Sequence, residues 1–396
     1  MNITPAAELA QRIDRFQALL KDHELDGAFI LQNADLFYFS GTIQQGVLYL
    51  PADGEPLYMV RKEFSRAKVE SGLKNIVAIR GFRDLRQCLA DFGHPLPEKA
   101  GMELDVVPVA LYQRLCANFP KCRMTDVTPL IREVRAIKSE FEIAAMRVAA
   151  AMVDKIFLQA REVIRSGKTD MEVVAELEFT ARRLGHQGIT RMRSFNSEIF
   201  MGQFMSGADA GVPSSADTPL GGPGLNPYVG RGSGWKKIAP GEPILFDFTG
   251  TAEGYLSDMT RIFCIGGLDD DLLRAYDDMV AVQQLMKQTA RPGCKWGEVY
   301  EVCCELARRQ GHGEHFMGAP GAQVSFIGHG IGLEIDEYPF IAKGFMDYEL
   351  RKNMTFAFEP KVVFPGRGAL GIENSFCVTE DGVEALTFSD EQLVVI

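Results

Sequence analysis

Four acids and one histidine stand in apolar, strand-like runs of this 396-residue chain, and they are the residues best suited to chemistry. Asp247 and Asp258 lie in PILFDFTGTAEGYLSDMTRIFCI, His329 lies in SFIGHGIGLEIDEYP, and Glu359 and Glu373 lie in MTFAFEPKVVFPGRGALGIENSFCVTEDG. Gly250 and Gly254 are placed for a hairpin turn between the two aspartates, and a Pro/Gly turn from Phe364 to Gly368 separates the two glutamates. Any one of these acids alone reads as an ordinary surface or salt-bridged group. Together they do not, because carboxylates inside apolar strands are costly to bury unpaired and these stretches read as holding no matching basic residue. A divalent cation is the natural compensation. Mostly oxygen ligation, with one histidine, favours Mn, Co, Fe or Zn in a hydrated hydrolytic site over a structural zinc site.

The elements that must position these groups follow from periodicity. Before residue 130, helix and strand signals alternate: a helix near 5–23, the run GAFILQ, VLYLPADGEPLYMV turning at Asp53-Gly54, and a helix near 62–72. That alternation predicts an α/β domain. Ser139 and Glu142 then have capping-box spacing ahead of apolar residues at helical intervals, so a new domain opens near 130–138. The expected division is 1–133 and 134–396. Within the second part, residues 165–188 align without a gap on 291–314, matching Gly167 with Gly293, Gly185 with Gly311 and His186 with His312. Two copies of a helix, helix, strand unit are predicted, with the active site between the halves. The Gly/Pro/Ser-rich stretch from Phe200 to Lys237 reads as a long structured loop rimming a pocket. Its GRGSGWKK lacks the residue order of a phosphate-binding loop.

Composition excludes several classes. The formal net charge is -11, with no clustered Lys/Arg surface, so nucleic acid is not an expected partner. No run of about 18 apolar residues occurs, so no membrane span is expected, and the N-terminus reads as an amphipathic helix rather than a signal peptide. The eight cysteines form no C-x-x-C pair and are expected to be reduced thiols of a cytoplasmic protein, with Cys303 and Cys304 in a packed helix.

The constellation resembles the family of prolidase, Xaa-Pro aminopeptidase, methionine aminopeptidase and creatinase. GHGIGLE and SDMTR stand here almost as that family has them. The resemblance implies an α+β chain: a pita-bread C-terminal domain with an internal pseudo-twofold repeat, preceded by a creatinase-like α/β N-terminal domain. It implies Asp247, Asp258, His329, Glu359 and Glu373 as ligands of two divalent metal ions, manganese foremost, with Asp258 and Glu373 bridging. Glu359 would also be the catalytic proton shuttle, the substrate a short peptide of the Xaa-Pro type, and the assembly a homodimer. Three departures stand out. The family's second histidine, seven residues beyond the metal-binding one, is Asp336 here; its upstream histidine is missing, since residues 187–328 hold only His312 and His315; and an Arg often found before the last ligand is Gly371. An ionised aspartate accepts hydrogen bonds and cannot donate them, so Asp336 is expected to contact an N–H or cationic group of the substrate. These departures keep open an alternative, a non-peptidase hydrolase or lyase acting on a small molecule, and behind it a non-catalytic binding protein. His312 and His315 are expected to be solvated after a helix end.

Overall fold

In a computed structural model describing residues 3–396, the alternating signals of the first third form a six-stranded sheet in the order β4-β3-β2-β1-β5-β6. Its strands are β1 (Gly27–Ile30), β2 (Gly46–Pro51), β3 (Leu57–Val60), β4 (Asn75–Ala78), β5 (Lys99–Met102) and β6 (Arg123–Asp126). β1 and β3 are buried along their whole length, as continuous apolar runs covered on both faces are. The first compact unit comprises the chain up to Arg135 together with Arg193–Ser197, a short return that the contiguous division from sequence does not include. Arg193 fixes it. Its guanidinium is buried and donates to Asp35 Oδ2 at 2.5 Å and, as a fork, to Asp105 Oδ2 at 2.7 Å and Oδ1 at 3.0 Å.

The second unit comprises Ala136–Met192 with Glu198–Ile396, and the capping box lies near its start. Ser139 Oγ accepts from Glu142 N at 3.2 Å, while Glu142 Oε2 accepts from Ser139 N at 2.9 Å, starting the helix Glu140–Val163. The repeat is real at the level of elements. Helices Asp170–Arg183 and Trp296–Arg309 have bounds in register with the sequence alignment, and each follows a long helix, Glu140–Val163 or Asp270–Thr289. Gly167, Gly185, Gly293 and Gly311 all take positive φ, between 86° and 99°, which explains glycine at both ends of both helices.

Each helix pair packs on its own sheet. One sheet runs β17-β9-β8-β7, from β7 (Gly202–Ser206), β8 (Ile244–Ala252), β9 (Tyr255–Cys264) and β17 (Val394–Val395). The other runs β11-β10-β12-β15-β16, from β10 (Phe326–Gly330), β11 (Glu337–Ala342), β12 (Thr355–Phe358), β15 (Asn374–Val378) and β16 (Val383–Ala385); β13 (Lys361–Phe364) and β14 (Gly368–Gly371) extend the β12–β15 hairpin. Val153, Ile156, Phe157 and Leu177 bury Phe246, Phe248 and Phe263 in the first half. In the second, Met279, Val282, Val299 and Cys303 pack with Ile327, Phe356 and Phe376. Only Glu253 and Gly254 turn the β8–β9 hairpin, both at positive φ. Gly250 is not part of that turn. It lies within β8, where a Cβ would meet Ala149 O at 1.9 Å, so it lets the helix approach the strand. All eight cysteines are free, and no helix of the described residues is long and apolar enough to cross a membrane.

His186 and its repeat partner differ. His312 Nε2 lies 2.7 Å from Asp278 Oδ2 and His315 Nδ1 lies 2.9 Å from Val363 O, so both are partly buried and packed rather than solvated. His186 is 2% exposed; its Nδ1 accepts from Gly188 N at 3.0 Å and its Nε2 lies 3.4 Å from Thr249 Oγ1. Burial, with Arg182 nearby, pushes its pKa down to about 4. The folded state therefore resists a proton that the unfolded chain accepts below about 6.5, and stability is expected to fall as pH drops from about 6.5 through about 4. At about 1.4 kcal/mol per pKa unit the loss is on the order of 3 kcal/mol. Melting temperatures against pH for the wild type and His186→Asn check this: the acid-side drop should be smaller in the variant, and parallel curves would contradict it.

Candidate metal centre

Strand alternation aims the aspartates. In β8 the even residues Phe246 and Phe248 face the helices, which turns Asp247 and Thr249 to the opposite side. Asp247 pairs with Thr260 and Thr249 with Asp258, so all four share that face. Gln203, opposite Asp247 on β7, donates from Nε2 to Asp247 Oδ2 at 3.0 Å. On the second sheet His329 is paired with Ala357 of β12, two residues before Glu359.

The two glutamates come from one long hairpin. Phe358 pairs with Asn374 and Lys361 with Gly371, so the same register holds on either side of a short break and sets Glu359 opposite Glu373. Glu373 N donates to Thr260 O at 3.2 Å and Thr260 Oγ1 to Glu373 Oε2 at 2.7 Å, which ties the hairpin to β9. Arg261, next along β9, points the other way. Fully buried, it donates to the carbonyls of Thr260, Glu373, Ser389 and Asp390 and to Asn374 Oδ1, all at 2.8–2.9 Å. It braces the backbone carrying the ligands.

The acids are not without a basic partner, contrary to the sequence reading. Lys361 is two residues beyond Glu359 and so on the same face; its Nζ donates to Glu359 Oε2 and, at 2.9 Å, to Glu373 Oε2, with the side chain 1% exposed. The signal was present in EPK, at the spacing that strand geometry makes adjacent.

Asp258, His329 and Glu373 converge, each offering one ligand atom, all within 4.8 Å of one another. His329 Nε2 is 4.0 Å from Glu373 Oε1 and 3.8 Å from Glu359 Oε1. Glu373 Oε1 is buried and makes no hydrogen bond among the described residues, an orphaned acceptor aimed into this cluster. One divalent ion fits there. Glu359 flanks the cluster, while Asp247 lies outside it. Asp336 Oδ1 is 3.9 Å from His329 Nδ1 with its side chain 31% exposed, beside the cluster and open to solvent.

Electrostatics follow from burial and crowding. Burial pushes Asp258 well above the usual carboxylate range, and the charges of Glu373 and Asp247 push it further. Burial also raises Asp247, and raises Glu359 to about 7 although Lys361 works against it. Glu373 is lowered: burial opposes ionisation, but Lys361, His329 and Thr260 outweigh it. His329 is raised, since Asp336, Glu359 and Glu373 overcome its burial. Such an assembly favours a cation strongly. Arg231, from the GRGSGWKK stretch, is a further group that sequence reasoning passed over: its Nε is buried with no hydrogen-bond partner among the described residues, and it interacts electrostatically with Asp247.

Residues 12–137 match the creatinase/prolidase N-terminal domain and residues 144–380 match metallopeptidase family M24. The chain is 28% identical over 399 residues to a Xaa-Pro dipeptidase of Lactobacillus delbrueckii subsp. lactis, covering 97% of this chain and 98% of that protein. To a Xaa-Pro dipeptidase of Pyrococcus furiosus it is 24% identical over 388 residues, covering 98% and 100%. Among solved structures it is similar to a Xaa-Pro dipeptidase from Bacillus anthracis, with a TM-score of 0.83 and 24% identity over 98% of this chain and all of that one.

Proposed function

We propose that this chain, which belongs to metallopeptidase family M24, is a metal-dependent peptidase that hydrolyses short Xaa-Pro peptides, dipeptides foremost. The observation that carries the reading is the orphaned Glu373 Oε1 facing Asp258 and His329, a ready-made place for a divalent ion. Manganese is the proposed metal, and a cytoplasmic homodimer the proposed working form. When bound, the ion supplies Lewis acidity and a lowered pKa for water at neutral pH.

The chain's own residues supply the rest. Glu359 has Oε2 held by Lys361, which leaves Oε1, on the His329 side, to take a proton from water and hand it to the departing amine. Asp247, fixed by Gln203, completes the anionic wall. Asp336 receives the free ammonium of the substrate, because as an acceptor it pairs with a cation and repels a carboxylate.

The test is hydrolysis by protein stripped of metal and reloaded with Mn, Co, Zn or Fe, using Xaa-Pro dipeptides, tripeptides, N-acetylated dipeptides and small amides. Metal-dependent cleavage of the unblocked dipeptides is expected, with a raised KM for the acetylated ones. Asp336→His should narrow that difference by about tenfold, as loss of about 1.4 kcal/mol of charge pairing implies. Cleavage of small amides but no peptide would overturn the peptidase reading, and an unchanged ranking in Asp336→His would remove Asp336 from specificity.

A further inference from the structure

The buried ammonium of Lys361 lies between the two glutamates of the centre. Strand spacing puts it on the ligand face, and its Nζ holds one oxygen of each glutamate, Glu359 Oε2 and Glu373 Oε2. Glu373 is thereby divided between two cations. Its Oε2 is occupied by Lys361 and by the hydroxyl of Thr260, while its Oε1, without a hydrogen-bond partner among the described residues, faces Asp258 and His329. Asp247, outside the converging set, feels the charge of Lys361 as its strongest attraction.

Charge balance points the same way. When ionised, Asp247, Asp258, Glu359 and Glu373 carry four negative charges; Lys361, Arg231 beside Asp247 and one divalent ion cancel all four, leaving the site neutral. A second divalent ion would make it cationic, and would press a dication against a buried ammonium sharing its carboxylates, an arrangement that burial makes costly.

We propose that this centre takes one divalent ion, at Asp258, His329 and Glu373, and that the Lys361 ammonium stands in place of a second. The proposal rests on the metallopeptidase reading for the presence of an ion, and not on which bond is cleaved. It makes Lys361 a positioning residue: its ammonium holds the Glu359 and Glu373 carboxylates beside each other.

The experiment is metal stoichiometry on the full chain, stripped with a chelator and titrated with Mn²⁺, read by elemental analysis after dialysis and by electron paramagnetic resonance. The wild type is expected to saturate at one ion per chain, with the six-line signal of an isolated Mn²⁺. Lys361→Ala, which vacates the space and removes the charge, is expected to take two, with the signal of a spin-coupled pair; Lys361→Arg is expected to stay at one. Two coupled ions in the wild type would overturn the proposal while leaving the metallopeptidase reading intact. A Lys361→Ala protein that folds and still stops at one ion would also overturn it. No ion bound by the wild type under any metal would overturn both. Should Lys361→Ala fail to fold, the wild-type stoichiometry and signal decide alone.

Discussion

Glu359→Gln is expected to leave the fold intact and to lower kcat by about 10²–10⁴-fold, the range for loss of a positioned proton carrier. The amide has the shape of the carboxylate, and its oxygen can still accept from Lys361, so the β12–β15 hairpin keeps its register. What disappears is the ability to hold a proton between water and leaving group. KM should change little, because Glu359 carries the proton and does not hold the substrate in place. Far-ultraviolet circular dichroism, metal content and steady-state kinetics on one preparation separate these effects. Turnover within a few-fold of the wild type, with metal bound, would show that another group carries the proton.

Asp258→Asn should separate stability from function in opposite directions. Asp258 is buried with Glu373 and Asp247 as like-charged neighbours, so in metal-free protein its ionised form is a source of strain that the ion relieves. An asparagine keeps the acceptor that receives Met259 N at 3.0 Å and leaves the Ser375 hydroxyl contacts with the Asp258 backbone in place. The metal-free variant is therefore expected to melt several degrees above the metal-free wild type. Its affinity for a divalent ion should fall by about 100-fold or more, and turnover with it, because one of three converging anionic or neutral ligands loses its charge. Thermal melts with and without Mn²⁺ test both halves. A variant less stable than the wild type in the absence of metal would mean that Asp258 holds the sheet together rather than waiting for a cation.

Periodicity made the architecture legible. The capping box at Ser139, the glycine-bounded repeat and the paired acidic hairpins each reflect a local rule, and the observed creatinase-type and pita-bread arrangement is the one those signals and the resemblance implied. Residues whose role depends on two strands meeting were harder to see. Lys361 was visible as a cation two positions from Glu359, but its significance needs Glu373 directly opposite, which only the register supplies. Gln203 and Thr260 look like ordinary strand polars until pairing places them beside Asp247 and Glu373. Arg231 sits in a loop whose path no periodicity encodes. Gly250 was misread as a turn residue because glycine in sequence signals freedom, whereas here it signals proximity to Ala149.

The small excursion Arg193–Ser197 bears on how the polypeptide acquires its shape during synthesis. Asp105 has its guanidinium fork, and Asp35 one of its two arginine partners, from a residue 58 positions beyond Arg135, where the rest of that unit ends. As the chain emerges N-terminus first, the six-stranded sheet can assemble early, but its polar interior stays incompletely neutralised until ribosomal elongation has delivered Arg193. A protease cut or a gene split placed at residue 135 would put the sheet and its own counter-ion on different fragments, because the chain passes between the two units at three places.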